Sequence, residues 1–212
     1  MGYTRDLWTK RIANRSDLSS QVVHLTRGTE HEGVKSGPVD VLFEILKSRH
    51  IRGSTTDKGF ICGDIPATCF QDVPLFSICE NIHSEEQYRA SVPDARVRYM
   101  GVGLMFPKPY VFARGGRPVL YETSSKAKAI LPEDEWWRIV RFDLNDDDNI
   151  IDWTHEREWR VPGSFDFDLD KATVILPNNY GYKRFLKLCK EHEDEDILES
   201  IRGVVNLGAV FY

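Results

Sequence analysis

What most constrains the fold of this chain is the way glycine and proline cut its apolar runs short. After one early helical stretch, apolar segments recur in pieces of three to ten residues. Proline cannot donate to a sheet ladder and glycine weakens a strand interior, so long continuous strands are excluded. The early stretch is different. Pro38 suits a first helical position, and Val39, Leu42, Phe43 and Leu46 follow at helical spacing to about Arg49. A second stripe, Tyr182, Phe185, Leu186 and Cys189, has the i, i+3, i+4, i+7 pattern of an amphipathic helix. It runs into the acidic segment 191–195, which reads as a solvated end. Strands are expected at 21–25, 60–62, 67–70, 97–106, 118–122, 136–142, 173–176 and about 203–211. Gly101 and Gly103 leave one face of their strand bare, which signals a bulge or the close approach of a ligand or another backbone. The pattern predicts an α+β fold: one domain, residues 21–212, with a split, mainly antiparallel twisted sheet that forms a cleft, preceded by an N-terminal arm at 1–20.

Composition narrows the class. With 41% hydrophobic and 11% aromatic residues among 212, the chain can bury a core. A net charge of −5 argues against general affinity for polyanions. No apolar run approaches the length of a membrane span, and the N-terminus lacks a signal peptide's apolar centre. The four cysteines include no C-x-x-C pair and no suitably spaced histidines, so no metal site is expected. Reduced thiols in a cytoplasmic protein fit that pattern best.

The segment 153–161, Trp-Thr-His-Glu-Arg-Glu-Trp-Arg-Val, carries the most chemistry. Read as a strand, it projects Glu156 and Glu158 to one face and Arg157 to the other. Two carboxylates on one face repel unless that face is wet, so the pair is either a site or a solvated edge.

Two resemblances become visible at this point. Val-His-Leu-Thr-Arg at 23–27, Thr-Cys-Phe-Gln-Asp-Val-Pro-Leu at 68–75, Tyr-Met-Gly-Val-Gly-Leu-Met-Phe at 99–106 and Pro-Val-Leu-Tyr at 118–121 fall in a definite order. That order resembles the abortive-infection phage-resistance family of AbiGi type, over roughly residues 21–125. One residue is inserted between Tyr99 and Gly101 relative to that family's Y-G pair. The resemblance implies bacterial antiphage defence. The chain is also similar to ADP-ribosyltransferases, including DarT-like toxins that modify nucleic acid. Those folds place a His or Arg on the first strand, a Ser or Tyr in the middle and a Glu near the end. His24 or Arg27, Tyr121 or Ser124, and Glu158 would take those roles; Thr123-Ser-Ser125 is the nearest match to the usual Ser-Thr-Ser.

The resemblance implies NAD as substrate, held by His24, Thr26, Arg27, Phe70, Tyr121 and Ser124, with Glu158, Glu156 and Arg27 as the catalytic set. Cleaving the nicotinamide–ribose bond develops an oxocarbenium-like cation, which a fixed carboxylate stabilises. Glu158 would do this, shielded by Trp159, and Glu156 would orient or deprotonate the acceptor. Arg27 would neutralise the pyrophosphate, His24 would bond the adenosine ribose and Tyr121 would stack on nicotinamide. The same residues have plainer readings. His24 can be an interior histidine, Arg27 a strand-end turn, Tyr121 sheet core, Asp72 the cap of the turn before Pro74, and Arg157 and Arg160 partners for nearby carboxylates. Two functions follow: an enzyme moving ADP-ribose to a macromolecular acceptor, nucleic acid or protein, as a toxin or defence effector; or a non-catalytic abortive-infection partner, antitoxin or phage sensor. Neither engages a membrane, and a cognate antitoxin or defence protein is a possible partner of the first.

Overall fold

The computed structural model describes residues 2–31, 33–92, 95–192 and 197–211. Most of the acidic segment expected to be a solvated end, residues 193–195, lies outside them. The fold is α+β with a mixed, mostly antiparallel sheet. Its packing divides the chain into two compact units. The first comprises Met1–Arg49, Val73–Phe106 and Phe167–Tyr212, and the second His50–Asp72 and Pro107–Asp166. No helix among the described residues is long and apolar enough to cross a membrane.

In the first unit the strands follow the order Gly203–Asn206, Thr173–Leu176, Gly103–Pro107, Gln21–Leu25. Thr173–Leu176 pairs parallel with Gly203–Asn206 and antiparallel with Gly103–Pro107. The helix Pro38–Ser48 begins at its proline and buries Val39, Leu42, Phe43 and Leu46, the stripe read from sequence. The helix Asn179–Glu191 starts where the Asn178 side chain accepts the Gly181 N–H at 3.0 Å. A third helix, Leu75–Ser91, presents Ile78, Cys79 and Ile82 to a core shared with Val23, Val73, Ile175 and Leu207. Gly103 answers to a close backbone approach. A Cβ there would stand 2.1 Å from the His24 carbonyl oxygen. The N-terminal arm carries a short helix, Arg5–Ala13, capped by Thr4 and burying none of its residues.

Several expected strands are shorter than their apolar runs, for local reasons. Residues 97–102 are irregular; the Arg98 N–H goes to Glu85 Oε1 at 3.3 Å instead of to a ladder. The run at 203–211 ends as a strand at Asn206, whose side chain accepts the Gly208 N–H at 3.0 Å and starts the short helix Gly208–Phe211. In the second unit, residues 118–122 split because the partner changes: Arg117–Pro118 pairs with Glu158–Pro162, a pairing that the Val119 N–H extends to the Glu158 carbonyl at 3.0 Å, and Leu120–Glu122 pairs with Ile139–Arg141. Of 136–142 only Ile139–Arg141 is a strand. Glu133, Asp134 and Glu135 open a 3-10 helix, Glu133–Arg138, in front of it, where acidic side chains complement the helix N-terminus. Residues 60–62 form no strand, since the Phe60 carbonyl is taken by a guanidinium.

The second unit is organised by Glu158–Pro162, which runs antiparallel to Ala67–Gln71 on one side and to Arg117–Pro118 on the other. A parallel pair, Leu120–Glu122 with Ile139–Arg141, and an antiparallel pair, His50–Ile51 with Phe165–Asp166, complete it. Ile61, Ala67 and Trp137 form a buried cluster with Cys69 packed against it.

Candidate functional site: a buried polar layer around Glu158

The Glu-x-Glu segment is not one continuous strand. Thr154–Glu156 is a 3-10 turn, Arg157 adopts a left-handed conformation (φ 46°, ψ 52°), and the strand begins only at Glu158. This corrects the strand reading. A chain that turns at Arg157 cannot carry Glu156 to Glu158's face by strand alternation alone. The turn is nevertheless pinned beside the sheet, because the Glu156 carbonyl accepts the Asp72 N–H at 3.1 Å.

From Glu158 onward the period of two holds. Glu158 and Arg160 point to one face, opposite Gln71 and Cys69 in the antiparallel register. Four polar side chains thus cover one face of this strand pair, while Phe70, Trp159, Thr68 and Val161 occupy the other. Glu158 and Arg160 are 6% and 4% exposed, so their charges must be satisfied internally. Arg160 Nε donates to Glu158 Oε1 at 2.8 Å and Nη2 to Oε2 at 3.3 Å. Nη1 donates to the carbonyls of Trp137 (2.8 Å) and Ile139 (3.0 Å), and Nη2 to that of Phe60 (3.2 Å). All five guanidinium N–H donors are engaged. Burial alone works against the Arg160 charge, but Glu158 outweighs it and holds the guanidinium above its ordinary value.

Three further groups complete the layer. The Tyr121 hydroxyl accepts the Glu158 backbone N–H at 2.7 Å, and burial pushes the phenol above its usual range. Burial, then the Glu158 charge, raises the Cys69 thiol well above its ordinary value, and that thiol is hydrogen-bonded to Glu158. Gln71 donates through Nε2 to Glu156 Oε1 at 3.4 Å. On the opposite face Trp159 donates to Asp72 Oδ2 at 3.2 Å and meets Phe112 edge-on, with ring centroids 6.5 Å apart. The expected shielding of Glu158 by Trp159 therefore does not form. Asp72 also pairs with Lys108 at 2.7 Å; burial raises its carboxyl despite that cation.

Of the residues selected from sequence, Tyr121, Glu156 and Glu158 come together here. Phe70 is core, 1% exposed and edge-on to Phe165 at 5.3 Å. Ser124 is exposed at the start of the helix Ser124–Ile130. His24, Thr26 and Arg27 belong to the first unit. There His24 is half-buried on its strand, and Thr26 is buried with its N–H on the Val102 carbonyl at 2.8 Å. Arg27 is exposed and reaches the Val97 carbonyl at 3.2 Å. The plainer sequence reading of Arg160, as a partner for a nearby carboxylate, is what the structure shows, with Glu158 as that carboxylate. Sequence reasoning missed Gln71 and Cys69, which only the register brings opposite Glu158 and Arg160.

The first unit has a cavity of about 480 Å³, lined among others by Asp40, Arg89, Tyr99, Tyr180 and Arg184, with Asp40 and Arg184 paired to each other. Gly101 lines it, and none of the candidate catalytic or NAD-binding residues does. Among the described residues no group of His, Cys, Asp or Glu is placed to hold a metal ion. Comparison of the chain with family models, with curated proteins and with solved structures finds no match.

Proposed function

We propose that this chain is a cytoplasmic antiphage or toxin-type ADP-ribosyltransferase of the abortive-infection kind, moving ADP-ribose from NAD to a macromolecular acceptor. The observation that carries the reading is the assembly of Tyr121, Glu156 and Glu158, three residues picked out by motif order, in one polar layer of the second unit. The proposal rests on that unit alone.

Within the layer, burial and pairing reverse the order of the two glutamates. Both Glu158 oxygens are held by Arg160, so its negative charge is already compensated. Glu156 is half-buried, and Gln71 Nε2 donates to its Oε1 at 3.4 Å. Glu156 is the carboxylate fitted to meet a developing oxocarbenium charge. Glu158, held by two N–H donors of Arg160 at its carboxylate and by Tyr121 at its backbone N–H, is a positioning residue that fixes the strand end from which the Glu156 turn departs. The same compensation of Glu158 favours a second reading, a non-catalytic defence partner in which the layer is purely a structural clamp.

The two readings separate on incubation of the purified protein with NAD labelled in its adenylate half, in the presence of nucleic acid and of protein acceptors. The transferase reading expects label to become covalently attached to one acceptor class and attachment to fail in Glu156→Gln. Labelling by neither, together with stoichiometric binding of another defence protein, would establish the partner reading instead.

A further inference from the structure

The cavity of about 480 Å³ lies wholly within the first unit, where three stretches of chain meet. These are the start of the helix Pro38–Ser48, residues 99–102 with one side of the helix Leu75–Ser91, and the start of the helix Asn179–Glu191. Pro177 ties them together. A Cβ on Gly101 would stand 3.1 Å from Pro177 Cβ, and one on Gly181 would stand 2.9 Å from Pro177 Cδ and 3.8 Å from Val39 Cγ2. Glycine at both places lets the proline ring close against its neighbours, so the walls are formed before any ligand arrives. The volume falls within the span of small-molecule sites, about 300–1,000 Å³.

The side chains around it bring three chemistries. Tyr99 and Tyr180 supply aromatic rings, and Tyr180 is 83% exposed, so its ring serves no core. Asp40 and Arg184 are committed to each other. Arg89 and Glu86 stand one turn apart on the Leu75–Ser91 helix, both exposed and neither joined in an ion pair among the described residues. The N-terminal ends of the other two helices add positive potential to that of Arg89.

We propose that this cavity binds a nucleoside monophosphate; the proposal is independent of the transferase reading, which rests on the second unit. A guanidinium holds a phosphate through paired N–H donors, a carboxylate accepts from ribose hydroxyls, and a tyrosine face stacks on any base. Arg89, Glu86 and the two tyrosines supply these in one space. Phosphate and ribose adjoin in a nucleotide as Arg89 and Glu86 adjoin on the helix. A bare anion would leave Glu86 and the rings unused, and an apolar ligand would leave Arg89 unanswered.

Calorimetric titration with AMP, GMP, CMP and UMP, with their nucleosides and with inorganic phosphate tests this, run on wild type, Arg89→Gln and Tyr180→Ala beside a thermal melt of each. Both replaced side chains are exposed, so Tm should hold. At least one nucleotide should bind wild type, and more tightly than its nucleoside or phosphate does. Tyr180→Ala should weaken nucleotide and nucleoside alike by about tenfold, through lost stacking. Arg89→Gln should weaken the nucleotide about tenfold or more and leave the nucleoside unchanged, since only the phosphate answers to the guanidinium. The proposal is overturned if wild type binds none of the nucleotides, if either variant binds them as wild type does, or if inorganic phosphate binds as tightly. Weaker binding with a lowered Tm overturns it as well, by making the residue part of the fold. Each of these results leaves the transferase reading as it stands.

Discussion

Glu158 and Arg160 illustrate how a buried charge pair distributes its energy unequally. Arg160 has acceptors besides Glu158, in the carbonyls of Trp137, Ile139 and Phe60, whereas Glu158's side chain depends mainly on Arg160. Removing one partner of a buried pair commonly costs about 3–5 kcal/mol, because the other is left uncompensated. Arg160→Met should therefore fall in that range. Glu158→Gln should cost clearly less, since a neutral amide still accepts from Nε and the guanidinium keeps three carbonyls. Urea denaturation of both variants checks the order, and equal losses would contradict it. A second expectation concerns alkaline pH. Cys69 and Tyr121 both titrate higher when folded than when unfolded, so the unfolded chain gives up these protons first. The stability they confer is complete below their ordinary values of 9.0 and 10.0 and is lost as pH rises through the raised folded ones. The urea midpoint should drop as pH is taken from about 8 to about 10.5, and Tyr121→Phe should flatten that drop. A midpoint independent of pH over this interval would show the two groups to be unperturbed.

At the scale of elements, what the sequence made legible was whatever depends on near neighbours. Pro38 and the apolar spacing behind it define a helix unaided, and the bare face at Gly101 and Gly103 announces a close backbone approach. Gly103→Ala puts a Cβ 2.1 Å from the His24 carbonyl oxygen, so one of two backbones must shift. We expect a loss of about 3 kcal/mol, read as a lowered urea midpoint, and an unchanged midpoint would mean that the two strands separate freely. The turn at Thr154–Glu156 was not legible. Its left-handed residue is Arg157 rather than glycine or asparagine, so the chain carries no local mark of the turn. The Asp72 N–H that holds it comes from 84 residues away in sequence (156 − 72), beyond the reach of any spacing argument.

Across the whole molecule, the alternation of short apolar pieces leads correctly to an α+β fold with a mostly antiparallel sheet. It does not reveal parallel pairing such as that of Thr173–Leu176 with Gly203–Asn206 and of Leu120–Glu122 with Ile139–Arg141. Parallel strands need a crossover, and each pair has one containing a helix, Asn179–Glu191 and Ser124–Ile130 respectively. Seen separately, those helices and strands read as a simple succession, because nothing in a strand's own residues states which neighbour it will take. The candidate site shows the same division. Motif order pointed to Tyr121, Glu156 and Glu158, while Gln71 and Cys69 acquired meaning only through the register Glu158↔Gln71 and Arg160↔Cys69. The account's central claim, that Glu156 in this layer serves cleavage of NAD, is tested most directly by nicotinamide release. Purified wild type and Glu156→Gln are followed chromatographically under identical conditions, with urea midpoints measured in parallel. The account predicts release by wild type, a fall of about a hundredfold or more in Glu156→Gln, and matching midpoints. Undiminished release by Glu156→Gln, or none by wild type, would contradict it.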